Sequence, residues 1–313
     1  MNKYLIYIIF LCFCEKAMSQ DMPVYNEYHL NKALINPAII GSEGCTWIKG
    51  TDMHQWVGMK GAPQIQTLSI ESSIQKRTGN RVSDSQVHGL GAFLYRDVNG
   101  AYRTMGAQVS YAYHFYLNKS NGLKLGMGIS CRMFMASLNE SAFKSEEPDP
   151  VMTGGVSTLF KPDAGAGLFL YNEKLYAGLS AGQLMNASYA IGSDRHYYVI
   201  AGYFTGSRKD RYRWLPSMAF KTDEHLVKQL DLNIKMLMDD SWWLGLGYRH
   251  NLDKIPGRPV LFVPMLGFNF GNITAMYALD ITPSRIQKYN YGTHELMISW
   301  HFCKDTYRCP VYR

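Results

Sequence analysis

The sequence predicts an all-β chain, a transmembrane antiparallel β-barrel of about 14 strands preceded by a signal peptide and a short irregular N-terminal segment. Three observations lead there. Residues Leu123–Met135 alternate without a break, with Leu123, Leu125, Met127, Ile129, Cys131, Met133 and Met135 set against Lys124, Gly126, Gly128, Ser130, Arg132 and Phe134. Strand side chains point alternately to opposite faces. The pattern therefore makes one apolar wall and one small or charged wall over the ~9–11 residues a tilted strand needs to cross a bilayer. The same alternation recurs along the chain with turn signals between. Finally, 28 Gly, 22 Tyr, 14 Phe and 6 Trp at a mean hydropathy of −0.19 describe a chain whose polar and apolar faces average out.

Taken in order, residues 1–19 read as a signal peptide. Lys3 is its charged end, Tyr4–Phe13 its apolar stretch and Ala17-Met18-Ser19 its cleavage site, so the mature chain is expected to start at Gln20. A lipoprotein alternative through Leu11-Cys12-Phe13-Cys14 is disfavoured by the bulky Phe13 before Cys14. No later segment reaches the ~18 apolar residues of a spanning helix. Residues 20–44 are expected to form a periplasmic lead-in in which Pro37 and Gly41 mark a turn. Residues 45–302 are expected to form the barrel, and 303–313 a periplasmic tail.

Strands are expected at Cys45–Trp56, Ile65–Gln75, Val87–Asp97, Tyr102–Leu117, Leu123–Ala136, Ala164–Tyr171 and Leu175–Leu184. They continue at His196–Gly206, Tyr212–Lys221, Val227–Met238, Trp242–Asn251, Pro259–Phe270, Ile273–Thr282 and Glu295–Phe302. An even number returns both barrel ends to one side. Tight connections (Asn118–Asn121, Asn172–Lys174, Ser207–Asp210, Asp239–Ser241, Gly271–Asn272) alternate with longer ones (Leu138–Pro162, Asn186–Asp194, Pro283–Gly292), as periplasmic turns alternate with outer loops. Two stretches break the rule: Arg77–Gln86 is long where a turn belongs, and Val98–Gly100 short where a loop does.

A soluble sandwich or propeller is the rival architecture, but no blade-like repeat is present. The pairs Gly89/Gly91, Gly126/Gly128, Gly165/Gly167 and Gly245/Gly247 lie inside strands and lack the third glycine and helix of a dinucleotide site. They read instead as small residues on the lumen wall that leave room for water, a loop or the N-terminal segment. The net charge of +7 becomes +6 once Lys3, Lys16 and Glu15 are removed, and it forms no basic run of the kind nucleic-acid binders carry. Of six cysteines, Cys12 and Cys14 leave with the signal. Cys131 falls on the apolar wall, and Cys303 with Cys309 could close a small disulfide loop in the tail. No cysteine or histidine spacing suits a metal.

The order of short motifs is more specific. Asn36-Pro37-Ala38 followed by Gly41, then Gln55-Trp56-Val57-Gly58, Gly61-Ala62-Pro63 and Tyr111-Ala112-Tyr113-His114 ahead of the Leu123–Gly128 strand, resembles the PorP/SprF family of Bacteroidetes outer-membrane proteins. Ile39-Ile40 departs from the aromatic or Ala-Gly that usually follows in that family. The resemblance implies a non-enzymatic outer-membrane component of the type IX secretion system. Such a component supports export of proteins with a C-terminal sorting signal, or display of gliding adhesins, and uses no cofactor. The implied partners are periplasmic ring proteins, a peptidoglycan-binding anchor protein and outer-membrane lipid.

Asn36 and Pro37 are expected to stop the lead-in and aim it at the first strand. Trp56 is expected at the aromatic belt, with Gly58, Gly61, Ala62 and Pro63 completing a compact first loop. A passive porin is the alternative. A lipid-modifying enzyme is a weaker one, because nothing in the spacing gathers His54, His88, His114, His250 or His294 with Ser110, Ser299 or Asp280. Partner docking is expected on a basic periplasmic face carrying Arg77, Arg81, Lys119, Arg208, Lys209, Arg211, Lys304, Arg308 and Arg313, while the outer loops carry Glu140, Glu146, Glu147, Asp149, Asp194, Asp223 and Glu224. As a closed barrel, the mature protein should fractionate with the outer membrane and run faster on gels unheated than boiled. Recovery in the soluble periplasmic fraction would overturn the fold prediction.

Overall fold

A computed structural model describes residues 31–78, 81–139, 156–185, 195–206, 210–224, 228–252, 260–283 and 285–303. Fourteen strands follow in sequence: β1 Thr46–His54, β2 Gln64–Thr78, β3 Arg81–Asn99, β4 Tyr102–Asn118, β5 Leu123–Asn139, β6 Val156–Tyr171 and β7 Leu175–Gly182, then β8 His196–Tyr203, β9 Tyr212–Asp223, β10 Lys228–Met238, β11 Trp242–Asn251, β12 Leu261–Phe270, β13 Ile273–Asp280 and β14 Thr293–Phe302. Each pairs antiparallel with its neighbours in sequence, and β1 pairs with β14 from Thr46↔Phe302 to His54↔His294, closing the barrel. Closure leaves no sheet edge, the condition a strand protein must meet in lipid.

The expected faces are observed. On β5, Met127, Ile129, Cys131 and Met133 point outward while Lys124, Gly126, Gly128 and Ser130 are buried inside. On β11, Trp242, Leu244 and Leu246 face out against Trp243 and Arg249. The lower outer wall carries a belt of exposed aromatics at the ends of strands near the termini: Tyr203, Tyr212, Trp214, Trp242, Phe268, Phe270, Trp300 and Phe302. Amphipathic rings gather in this way at a membrane interface.

Four expectations change. The Arg77–Gln86 connection is ladder, since β2 and β3 pair out to Thr78↔Arg81 across an irregularity after Gln75, so that turn is short after all. β6 begins at Val156 instead of Ala164, and Pro162 is accommodated where β6 has a ladder partner on one side only, β7 pairing starting at Ala166. Cys303 bonds to Cys45, with Cα atoms 4.5 Å apart, and so does not pair with Cys309, which lies outside the described residues. Sequence spacing cannot see that the first and last strands become neighbours. Residues 31–44, finally, expected as part of a periplasmic lead-in, fold inside the barrel against the glycine pairs, one of the occupants expected for that wall.

The outward face of β5 gives a direct test. Ile129 is 63 % exposed on the lipid side. Ile129→Arg should lower the heat-modifiable, membrane-inserted fraction, because a midplane charge there costs about 2–4 kcal/mol, whereas Ile129→Phe should assemble normally. Equal assembly of the two variants on semi-native gels would reverse the assignment of faces.

Candidate functional site

The most specific construction in the molecule is the fit of its own N-terminal segment inside the barrel. A single helical turn, α1 (Lys32–Ile35), is followed by a 3₁₀ turn over Pro37–Ile39. Asn36 between them is extended, as a residue before proline must be, and its Oδ1 accepts the Ala38 N–H at 3.0 Å while Pro37 supplies a pre-set φ at the first position of the turn. The Asn36 Nδ2 group donates to the carbonyls of Leu168 on β6 (3.1 Å) and Leu179 on β7 (3.3 Å). Both N–H donors and the carbonyl oxygen of this side chain are used, and Asn36 is 1 % exposed.

The wall that receives the segment is glycine for a steric reason. A Cβ on Gly128 would strike the Pro37–Ala38 peptide, one on Gly167 the Asn36 amide and one on Gly89 the Ile40 carbonyl. Close backbone approach is what an in-strand glycine permits. Side chains then tie the segment at three further points. His114 donates from Nε2 to the Ile40 carbonyl (2.7 Å) and accepts the Tyr171 hydroxyl at Nδ1 (3.2 Å). Arg132 reaches the Leu34 carbonyl (3.4 Å) and donates from Nε to Gln108 (2.7 Å). The Lys32 ammonium lies 4.4 Å over the Tyr176 ring.

Side chains from the other wall also enter the lumen. Arg249 forms a two-pronged pair with Asp231 (2.9 and 3.1 Å), Lys49 pairs with Glu71 (2.9 Å), and Lys235 sits 3.8 Å over Trp243. Trp243, Arg249, Asp231 and His114 are all buried. A water-filled channel would leave such inward residues wet.

Trp56 is not on a strand face at the belt. It sits in the loop after β1 with φ +45, a left-handed conformation that costs a non-glycine residue on the order of 1–2 kcal/mol, and its backbone N–H donates to Thr293 Oγ1. That loop is stitched to its neighbours: Val57 N–H to the Gly292 carbonyl (2.9 Å), Tyr291 N–H to the Val57 carbonyl (2.8 Å) and Gly100 N–H to the Gly61 carbonyl (3.0 Å). Gly58 and Gly61 have positive φ, the Gly58 position lies under the Tyr291 ring, and the Pro63 carbonyl accepts the Gln55 N–H. Gly61-Ala62-Pro63 thus serves a compact loop.

Arg211 is exposed and paired with Asp239 at 3.3 Å, and its neighbour Arg213 pairs with Asp240. Arg208, Lys209, Lys304, Arg308 and Arg313 lie outside the described residues. Of the histidines considered for catalysis, His54 and His294 are cross-strand partners on the outer wall, bonded to Asp52 and Tyr277, while Ser110, Ser299 and Asp280 are buried on the inner face; His114 serves the plug, and His88 meets Tyr111. Sequence reasoning missed Arg132, Gln108, Leu168 and Leu179 as supports of the plug. Two of these act through backbone carbonyls, which carry no residue signature.

The sequence matches the family described as type IX secretion system membrane protein PorP/SprF over residues 17–300. The chain belongs to this family. No curated protein matches it. Among solved structures, its fold is similar to the toluene transporter TbuX of Ralstonia pickettii, with TM-score 0.50 and 11% identity over 90% of this chain and 95% of that one. Two others are the outer membrane protein Omp33 of Acinetobacter baumannii (TM-score 0.46, 7% identity, 84% and 100% covered) and a FadL homologue of Pseudomonas aeruginosa (0.42, 10%, 82% and 89%). At these identities the likeness concerns the fold alone. Membership of the PorP/SprF family makes this an outer-membrane barrel of type IX secretion, and the motifs that carried the resemblance now have physical duties in plug and loop.

If Asn36 and its glycine bed hold the seal, disturbing them should open it. Asn36→Ala removes three hydrogen bonds worth about 0.5–1.5 kcal/mol each, and Asn36→Asp additionally sets a carboxylate against two carbonyl oxygens. Asn36→Asp and Gly128→Val are therefore expected to keep the heat-modifiable barrel yet show channel conductance in planar bilayers where the parent is silent. Silent, intact variants would remove these residues from the seal.

Proposed function

We propose that this protein is a sealed scaffold of the type IX apparatus, holding periplasmic ring proteins and a peptidoglycan-binding anchor protein at the outer membrane in support of export of proteins with a C-terminal sorting signal. The observation that carries the reading is the occupied lumen. A barrel filled by its own residues 31–44 and by paired charges offers partners its surfaces and offers solutes no path, which weighs against the passive porin. Length, motif order and an expected cleaved signal favour the PorP member of the family over a paralogue.

Orientation follows from connection lengths. Both barrel termini share an end with the short connections 119–122, 172–174, 239–241 and 271–272, the periplasmic end in bacterial barrels. Docking belongs on that face. Arg211 and Arg213 are already matched there by Asp239 and Asp240, so a basic surplus for an acidic partner rests on Arg208, Lys209, Lys304, Arg308 and Arg313. The test is isolation of the barrel from outer membranes in mild detergent across a salt series. Reversal of Arg208, Lys209 and Arg211 to Glu, or deletion of Lys304–Arg313, should leave assembly intact and reduce recovery of periplasmic partners, and salt should weaken recovery by the parent. Unchanged, salt-insensitive recovery in both variants would rule out docking through this face, and conductance by the parent protein would rule out the sealed scaffold.

A further inference from the structure

The outer wall of the barrel is not uniform at the end that carries the long loops. On β8, β11 and β12 it is aromatic, with Tyr197, Tyr248 and Phe262 facing out and the last two rings 5.5 Å apart. On β1, β2 and β3 the same end carries an outward polar network. Arg96 donates to Gln66 Oε1 (3.0 Å), Gln66 donates to Asp52 Oδ1 (2.9 Å), and His54 Nε2 donates to Asp52 Oδ2 (2.8 Å). The residues that form it are directly cross-strand, Asp52↔Gln66 and Gln66↔Arg96, so the network runs straight across three strands. Arg103 on β4, also exposed, is paired in register with Val98, two residues on from Arg96.

The height of this network on the wall indicates what it meets. One outward step further into the wall stand Leu68 and Leu94, each about half exposed and part of the lipid-facing band, while Leu296 lies directly opposite Asp52 on β14. Charged side chains on a barrel's lipid face are expensive at the midplane and cost about 0–1 kcal/mol near the interface. A row of guanidinium, amide and carboxylate immediately beyond the apolar band therefore lies at headgroup depth. Guanidinium groups pair with phosphate through parallel N–H bonds, and carboxylate, amide and imidazole groups suit sugar hydroxyls.

We propose that the outward row Asp52, His54, Gln66, Arg96 and Arg103 binds the phosphorylated sugar headgroup of an outer-leaflet glycolipid. The proposal rests on the orientation given above, with the long loops outside. It does not depend on periplasmic docking.

The full-length barrel is purified without partners and exchanged into nanodiscs containing diphosphorylated lipid A, dephosphorylated lipid A or phosphatidylglycerol, and lipid retained through delipidation is counted by native mass spectrometry. Retention of diphosphorylated lipid A should exceed that of either other lipid by about tenfold, the factor expected when one charge-assisted contact is lost. Arg96→Ala with Arg103→Ala should abolish that preference, and Arg96→Lys with Arg103→Lys should keep part of it, at unchanged heat-modifiability.

Equal retention of phosphorylated and dephosphorylated lipid A by the parent overturns the proposal without reference to any variant. Equal retention of phosphatidylglycerol reduces the row to a general anionic collar and overturns it too. Displacement by millimolar inorganic phosphate would make it a free-phosphate site. Because no periplasmic partner is present, failure here leaves the scaffold reading standing, and failure of partner recovery leaves this one standing.

Discussion

A backbone in hydrocarbon has no water to bond with, so each strand here must find a partner on both sides. That requirement makes the β1–β14 ladder the contact on which the rest depends. It closes the sheet, and the Cys45–Cys303 bond fastens the same seam at its lower end. Cys45 is also the point where the chain leaves the lumen and enters β1. One covalent link therefore holds both the barrel seam and the root of the plug, and in the chain-entropy view a cross-link closing so long a loop constrains the unfolded chain strongly.

Closure creates an interior that must then be filled or flooded. In this molecule residues 31–44 and inward side chains occupy it. Backbone groups of the N-terminal segment would be costly to bury unsatisfied, and they are met by Asn36, His114 and Arg132 and by glycines that let the two backbones touch. The opposite wall uses paired charges such as Arg249–Asp231, which tolerate burial because each partner neutralises and hydrogen-bonds the other. With the described interior occupied in this way, the two faces and the rim are the surfaces left to other molecules.

Those surfaces differ in kind. The end near the termini is ringed by tryptophan, tyrosine and phenylalanine and has its described guanidinium groups matched by turn aspartates, whereas the loop end carries a polar row on one arc and aromatics on another. Such asymmetry around the rim can fix how the barrel sits among lipids and neighbours. The strained Trp56 and its stitched loop lie above the same arc as the polar row, so loop and row form one continuous district of the outer surface.

Alternation with period two, interrupted by turn residues, was enough to read the barrel, its fourteen strands and the inward or outward sense of residues such as Ile129 and Trp243 from sequence, because in lipid the pleat and the burial pattern coincide. The glycine pairs were legible as lumen wall, and the motif order as family. Local information could not say what the wall glycines face, since Gly89, Gly128 and Gly167 meet Ile40, Ala38 and Asn36 only after the chain has closed on itself. Nor could it choose the partner of Cys303. Proximity in sequence favoured Cys309, whereas barrel closure brings Cys45, 258 residues away, to its side. What the sequence determined by itself was periodic and local, and what the tertiary structure decided was which distant segments closure places in contact: the seam, the plug and the polar row across β1, β2 and β3.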